Sequence, residues 1–373
     1  MNFAFSEEQE MLRDSARRWL EDKAPSERVR ELMETEDGYD PNLWSGIAEM
    51  GWQAMHIPEE YGGAGFTQLE LMILLEEMGR ALFPSPFLSS VVLGANALLL
   101  GGSEEQKQAY LPGIAAGELI ATVAAVEPGG DWEEASIQLS AKRDGDDWVL
   151  NGTKRYVVDG ATAGLVVTAA RTDEGVTLFL VPTDSAGFSA THLQTMDQTR
   201  KQAELEYDDV RVPADGRLGE AGGGWTILEK LYDLAAVALA AEDVGGAQKC
   251  LEMAVDYAKV RVQFGRPIGS FQAIKHKCAD MLVQVESAKS AAYYAAWAAA
   301  EDPQELLVVA PLAKSYCSEA YFWVAAENIQ VHGGIGFTWE HDAHLYFKRA
   351  KSSELMFGDP VRWRAVLAER IGL

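Results

Sequence analysis

Positive charge is scarce in this chain. Its 373 residues carry 32 Lys and Arg against 57 Asp and Glu, a formal net charge of −25 with histidine neutral. A surface of that sign repels phosphate backbones and anionic headgroups, so neither nucleic acid nor membrane is an expected partner. Cysteine is nearly absent too. Cys250, Cys278 and Cys317 are odd in number, far apart, and form no Cys-x-x-Cys pair. No disulfide framework or zinc site is expected, and the three read as small buried side chains in helical segments. No apolar run reaches the length of a membrane span, since even 91–100 is bounded by Gly and Ser. The stretch from Met1 to Glu10 is acidic and lacks an apolar core, so it does not read as a secretory signal, and a soluble cytoplasmic protein is the expectation. Short repeats and low-complexity tracts are missing. What remains is a chain 48% hydrophobic with ordinary glycine, proline and aromatic content, globular and long enough for two to three packed subdomains.

Three textures follow one another. Residues 1–117 read as a helical domain: Ser6, Glu7, Glu8 and Gln9 form a capping-box pattern, helical spacing recurs in 41–50, 68–83 and 103–116, and Ser103 with Gln106 is a second box. Residues 118–224 read as a β domain. The stretch 147–158 looks like a hairpin with Asn151-Gly152 as its turn, 165–170 and 176–181 suit buried strands, and an alternating run from Ala203 stops at Pro213. In 225–373 the helical period returns, with candidates at 225–262, 270–301, 303–332 and 342–372. Stripes such as Leu306, Val309, Ala310, Ala313 and Cys317 suit packing in a bundle. The expected class is α+β multidomain.

Two motifs carry chemistry. Around Arg261, Gln263, Phe264, Gly265 and Pro267 the helical pattern breaks, and Ser270 can cap the next helix ahead of Phe271-Gln272. An arginine at such a turn suits a diphosphate, because its planar fork binds phosphate oxygens in pairs, and Phe264 can lie against an adenine or flavin edge. Downstream, Gln330, His332, Gly333, Gly334, Gly336 and Phe337 form a glycine-rich strip where backbone can approach a ligand. Either turn alone is more often structural. In this order, over essentially the whole chain, they resemble the acyl-CoA dehydrogenase family. The resemblance implies an N-terminal helical domain, a middle β-barrel or sandwich, and a C-terminal four-helix bundle. It implies FAD as cofactor, bound through Arg261, Gln263, Phe264 and Gln272, with Gln330, Gly333 and Gly334 reaching the adenosine half of FAD held by a neighbouring subunit. It implies acyl-CoA as substrate, α,β-dehydrogenation as reaction, an electron-transfer flavoprotein as acceptor, and self-association to a dimer or tetramer. A place in fatty acid or steroid degradation goes with it. In the middle domain, 124–130 and 151–160 resemble the family's flavin-contacting segments. There Val126 and Val158 stand where the family has hydroxyl residues and Tyr156 where it has Trp, which implies fewer polar contacts to the flavin.

The family's catalytic carboxylate is missing. Laying Lys348 to Lys351 on the family's Arg-Asp-Ala-Lys puts Phe357, Gly358 and Asp359 on its Glu-Gly-Thr. Phe357 can border the substrate and offer its backbone N–H to a carbonyl, but its side chain cannot take a proton. The other site used within the family corresponds to Ala235, also empty. Two replacements are open. Asp359 lies two residues beyond the usual position, where a shifted loop could bring it to the substrate, but the favoured reading is a cap with Pro360 opening the last helix. Glu242 lies seven residues after Ala235, about 10 Å along the same helix, and the favoured reading for it is a buried or intersubunit bond. His332, His341 and His344 read as packing or surface groups, and Glu354 as a solvated one. Alanines at 235, 236, 238, 240 and 241 suit either a broad acyl pocket or close helix packing. Three functional readings follow: a dehydrogenase with its own base; a silent, FAD-sharing chain of a heteromer, similar to the short Glu-lacking chains of steroid-degrading α2β2 members; or a flavoprotein for a non-CoA substrate.

Overall fold

The structure is a computed structural model that describes residues 5–373; the first four, part of the N-terminal stretch read above as non-secretory, lie outside it. Helices come first: α1 (Glu7–Lys23), α2 (Ser26–Met33), α3 (Pro41–Glu49), α4 (Gln68–Ala81), α5 (Asn96–Gly101) and α6 (Glu104–Ala115). Strands follow: β1 (Ala121–Ala124), β2 (Ser140–Asp144), β3 (Asp147–Val158), β4 (Leu165–Thr172), β5 (Gly175–Pro182), β6 (Phe188–His192), β7 (Gln202–Val212) and β8 (Arg217–Leu218). Then come α7 (Gly224–Val260), the short strands β9 (Val262–Gln263) and β10 (Arg266–Pro267), α8 (Gln272–Glu301), α9 (Pro303–His332), α10 (Ala343–Leu355) and α11 (Pro360–Arg370). This is the helical, then β, then helical order expected. Both capping boxes form, with Ser6 and Ser103 each accepting from the backbone of the glutamine three residues on. An eight-residue π-helical stretch, Leu88–Ala95, was not foreseen.

Two compact units divide the chain. One contains Glu31–Thr67 and Pro84–Ala235, and its sheet has the order β6-β7-β3-β2-β4-β5-β8, with β1 parallel to β4. Its core gathers Trp148, Leu150, Phe179, Val181, Leu205 and Tyr207, with the Trp148 and Phe179 rings 5.3 Å apart. The Asn151-Gly152 turn expected from sequence is not there. The β2–β3 loop is Gly145 and Asp146, with Gly145 at φ 67°, while Asn151 and Gly152 lie within β3 at a break in its register with β7. Asn151 spends its amide on Asp209, donating to the carboxylate and accepting from the backbone N–H, both at 2.9 Å, which holds a bulge instead of a turn.

The other unit contains the chain through Arg30, Gln68–Phe83 and Ala236–Leu373. Gly79 on α4 and Gly245 on α7 let these helices meet backbone to backbone: a Cβ on Gly79 would strike the Glu242 carbonyl, and one on Gly245 the Glu76 carbonyl. Asp302 alone joins α8 to α9 and caps α9 by accepting from Gln304 and Glu305 N–H. Two expectations fail here. The span 342–372 is two helices, because Phe357 and Gly358 take φ of 61° and 101°, outside the helical region, and Pro360 has no N–H to extend α10. Ser270 does not cap α8: it closes a 3₁₀ turn, Ile268–Ser270, and Phe271 occupies the cap position without a side-chain bond.

His56, in the sheet-containing unit, is buried beside Asn96, and burial pulls its pKa from 6.5 down to about 4. The folded state therefore holds fewer protons than the unfolded chain between these values, so stability is complete above pH 6.5 and falls as pH drops toward 4. His56→Gln should flatten that limb by about 3 kcal/mol, read from denaturant unfolding at pH 7 and pH 4.5. An unchanged slope contradicts the assignment.

Candidate functional site

At the end of α7, Arg261 N–H still bonds Tyr257 O at 2.8 Å, and the chain then turns back as β9 and β10. The two loop residues, Phe264 and Gly265, have φ of 52° and 76°, the left-handed pair that a two-residue hairpin requires. Ile268 N–H closes the hairpin root on Arg261 O at 2.8 Å. Arg261, Gln263, Phe264 and Gln272 are all exposed, Phe264 to 92%. Phe271 meets the Phe264 ring edge-on at 6.1 Å and takes the Arg266 guanidinium over its face at 4.1 Å. Among the described residues the Arg261 guanidinium has no ion pair or hydrogen bond, so its fork stands open to an anion.

The glycine strip begins where α9 ends. Gly333 has φ 65° and ψ −141°, a conformation only glycine holds without strain, and no heavy atom lies within 4 Å of a Cβ built on Gly333 or Gly334. Gln330 is exposed as well. The Tyr257 and His332 rings stack at 4.3 Å, which puts this strip beside the root of the hairpin. His341 lies 4.2 Å from His332, ring to ring, and burial lowers the pKa of both, favouring neutral imidazoles. An open arginine beside a backbone edge cleared of side chains suits an extended, anionic dinucleotide. The FAD expected from sequence fits this end of the unit.

Val126, Tyr156 and Val158 belong to the other unit. Val126 and Val158 are buried, while Tyr156 is 43% exposed with φ 60°. Val126 O accepts from Arg155 N–H at 2.9 Å, and Val158 O from the Thr122 hydroxyl at 2.7 Å. Two residues not singled out from sequence fix this corner. Glu127 Oε1 accepts from Gln138 N–H, Leu139 N–H and Lys154 Nζ at 2.7, 2.7 and 2.8 Å, and Lys154 also donates to Ala125 O at 2.9 Å. Burial pulls the Lys154 pKa down to about 8 against the opposing pull of Glu127. Both lie inside the two segments that resemble the family, so the signal was available.

The candidate bases are engaged. Asp359 is the N-cap of α11, its Oδ1 accepting from Arg362 N–H at 2.8 Å, with Pro360 at the first helical position. Glu242 is buried and paired with Arg349 of α10 at 2.5 Å. Its neighbour Asp243 is fully buried and is the leading counter-charge for Lys314 of α9, whose pKa burial pulls down to about 8. Lys314 donates to Ser353 O at 2.8 Å and Glu354 O at 3.2 Å. Phe357 is 3% exposed, and its carbonyl accepts from Trp363 Nε1 at 3.1 Å. Ala235 is buried and apolar. Glu354 is no free surface group: it pairs with Lys351 at 3.0 Å and is largely covered. The Phe357 turn and the glycine strip occupy different stretches of this unit, since Lys314 and Gln330 stand roughly 24 Å apart along α9.

Comparison with known proteins fits these features. Models described as acyl-CoA dehydrogenase N-terminal, middle and C-terminal domains match residues 6–118, 122–210 and 222–372. The chain is 38% identical over 357 residues to acyl-CoA dehydrogenase IpdE2 of Mycolicibacterium smegmatis, covering 95% of this chain and 96% of that one. It is similar to the butyryl-CoA dehydrogenase of Megasphaera elsdenii, with TM-score 0.93, 28% identity and 100% of each chain covered. It is similar too to a chain of the ChsE4-ChsE5 complex of Mycobacterium tuberculosis, with TM-score 0.90, 31% identity and coverage of 100% and 99%.

Arg261→Ala should leave the stability of the FAD-free protein within about 0.5 kcal/mol, because the side chain is exposed and unengaged. It should weaken FAD binding at least tenfold by flavin fluorescence titration, and unchanged affinity refutes the site. Glu242→Gln should lower stability by about 3 kcal/mol in urea unfolding, since Arg349 is left buried without its carboxylate. A neutral effect contradicts a structural pairing.

Proposed function

This chain belongs to the acyl-CoA dehydrogenase family, and from that premise we propose that it works in the FAD-dependent α,β-dehydrogenation of an acyl-CoA thioester, with electrons leaving to an electron-transfer flavoprotein. The observation that carries the reading is the stacking of Tyr257 on His332, which sets the open Arg261 beside the glycine edge. Arg261 holds the diphosphate, Gln263, Phe264 and Gln272 border the nucleotide, and Gln330, Gly333 and Gly334 offer backbone to an adenosine. Val126, Tyr156 and Val158 contact the flavin ring system, Tyr156 through its exposed face. FAD, when bound, supplies the acceptor for the β-hydride.

The hairpin and strip also present Val262, Phe264, Phe337 and Trp339, all exposed, as an apolar edge. That edge supports self-association into a dimer or tetramer with a second copy or a homologous chain. The cysteines are free, which suits a reducing compartment such as the cytoplasm. Fatty acid or steroid degradation is the setting that goes with this reading.

A second reading concerns the base. Phe357 and Ala235 carry no carboxylate, Asp359 is spent on a helix cap, and Glu242 is spent on Arg349. These observations favour a chain whose α-proton acceptor comes from a Glu-bearing homologue in a heteromer. The likeness to a chain of a two-component complex supports the same reading.

An anaerobic absorbance titration of the chain purified alone with FAD tests both. Straight, branched and steroid-derived acyl-CoAs should perturb the flavin spectrum without bleaching it. Bleaching by any of them gives the chain its own base and removes the heteromeric reading. A spectrum that no acyl-CoA perturbs, alone or with a homologous partner chain, contradicts the acyl-CoA assignment.

A further inference from the structure

Between α10 and α11 the chain makes a turn of four residues, 356–359, held at three points. At its apex, Trp363 Nε1 donates to Phe357 O at 3.1 Å. At its exit, Asp359 caps α11. At its entry stands Lys314, whose ammonium donates to Ser353 O and Glu354 O at 2.8 and 3.2 Å. These belong to the last-turn carbonyls that α10 leaves without a partner along its own helix. Cations are favoured at a helix C-terminus, and in a buried site that preference is strongest. Lys314 is fully buried, so its charge requires a counter-charge, and Asp243 of α7 leads the acidic groups that act on it, ahead of Glu354 and Asp359. One residue of α9 thus bonds the end of α10 under the charge of Asp243 on α7.

The turn needs such fixing. Phe357 has φ 61°, where a bulky side chain is strained, and that state persists only when its surroundings over-determine it. We propose that Lys314 is a positioning residue for the reaction: by tying the end of α10 to α9, it holds Phe357 in its left-handed conformation and fixes the wall that this residue presents to the acyl-CoA. The proposal rests on the reading above that Phe357 borders the substrate. Trp363 and Asp359 act on the turn from the far side, so removing Lys314 loosens its entry while its exit stays capped.

The test uses the FAD-loaded protein, with its partner chain if one co-purifies, and compares wild type, Lys314→Met and the milder Asp243→Asn. Amide hydrogen exchange reads the turn without any substrate. Peptides covering 353–363 should exchange at least tenfold faster in Lys314→Met and by a smaller factor in Asp243→Asn. Peptides from the buried centre of α8 should keep their wild-type rates, which separates local loosening from general destabilisation. Acyl-CoA affinity, read from the flavin perturbation, should fall about tenfold in Lys314→Met. Unchanged exchange at 353–363 in both variants, or acceleration spread evenly over the unit, overturns the proposal. A loosened turn with undiminished acyl-CoA affinity overturns the positioning role. If wild type itself binds no acyl-CoA, the functional reading fails, while the exchange comparison still decides what Lys314 does to the turn.

Discussion

Two consecutive acids on α7, Glu242 and Asp243, are the constraint on which the helical unit depends. Both are buried: Glu242 is bonded to the buried Arg349 of α10, and Asp243 leads the acidic groups whose charge acts on the buried Lys314 of α9. Charges taken out of water are tolerated only when well paired, so the Glu242–Arg349 bond ties α10 to α7, and the Asp243 charge favours the buried ammonium of α9 nearby. The glycines at 79 and 245 bring α4 in at backbone distance just alongside. Lys314 then carries the constraint into the last turn of α10 and so to Phe357. The 2.5 Å bond of Glu242 to Arg349 supports the proposal that this carboxylate is not the base.

Strain collects where ligands are proposed to sit. Six residues other than glycine have positive φ among those described, and three of them, Tyr156, Phe264 and Phe357, are residues singled out on motif grounds alone. Each carries an aromatic ring in a conformation that disfavours it by about 1 kcal/mol. Each is held by a different local device: a flanking Arg155 N–H bond to Val126 O, a two-residue hairpin, and the Trp363 bond with Lys314 behind it. Strained residues of this kind recur at ligand sites in proteins generally, and these three coincide with positions proposed to meet a ligand.

Much of this was legible in the residues. The order of helical, β and helical regions followed from periodicity, and both capping boxes from a four-residue pattern. Arg261 to Phe264 and Gln330 to Gly334 were recognisable because glycine, proline and arginine at a turn carry local chemistry. Longer-range facts were not legible. The partner of Glu242 lies 107 residues away, and no local pattern distinguishes a carboxylate that will be paired from one that will be free. The Asn-Gly dipeptide at 151 looked like a turn, but Asp209, 58 residues on, recruits the asparagine into a bulge. The break in 342–372 was half visible: Pro360 after Asp359 reads as a helix start, yet apolar spacing on both sides suggested continuity. For Asp359 the capping reading matches the geometry, since the side chain meets Arg362 N–H at 2.8 Å.

The central claim is that this chain holds a flavin and an acyl-CoA without a base of its own. The most direct measurement separates proton abstraction from redox chemistry. The FAD-loaded chain, purified alone, is incubated with a saturated acyl-CoA in D₂O, and deuterium at the α-carbon is read by mass spectrometry. The account predicts no incorporation above the buffer control, with incorporation appearing when a Glu-bearing homologous chain is added. Incorporation by the chain alone, abolished in Asp359→Asn or Glu242→Gln, would contradict it and return that carboxylate to the role of base.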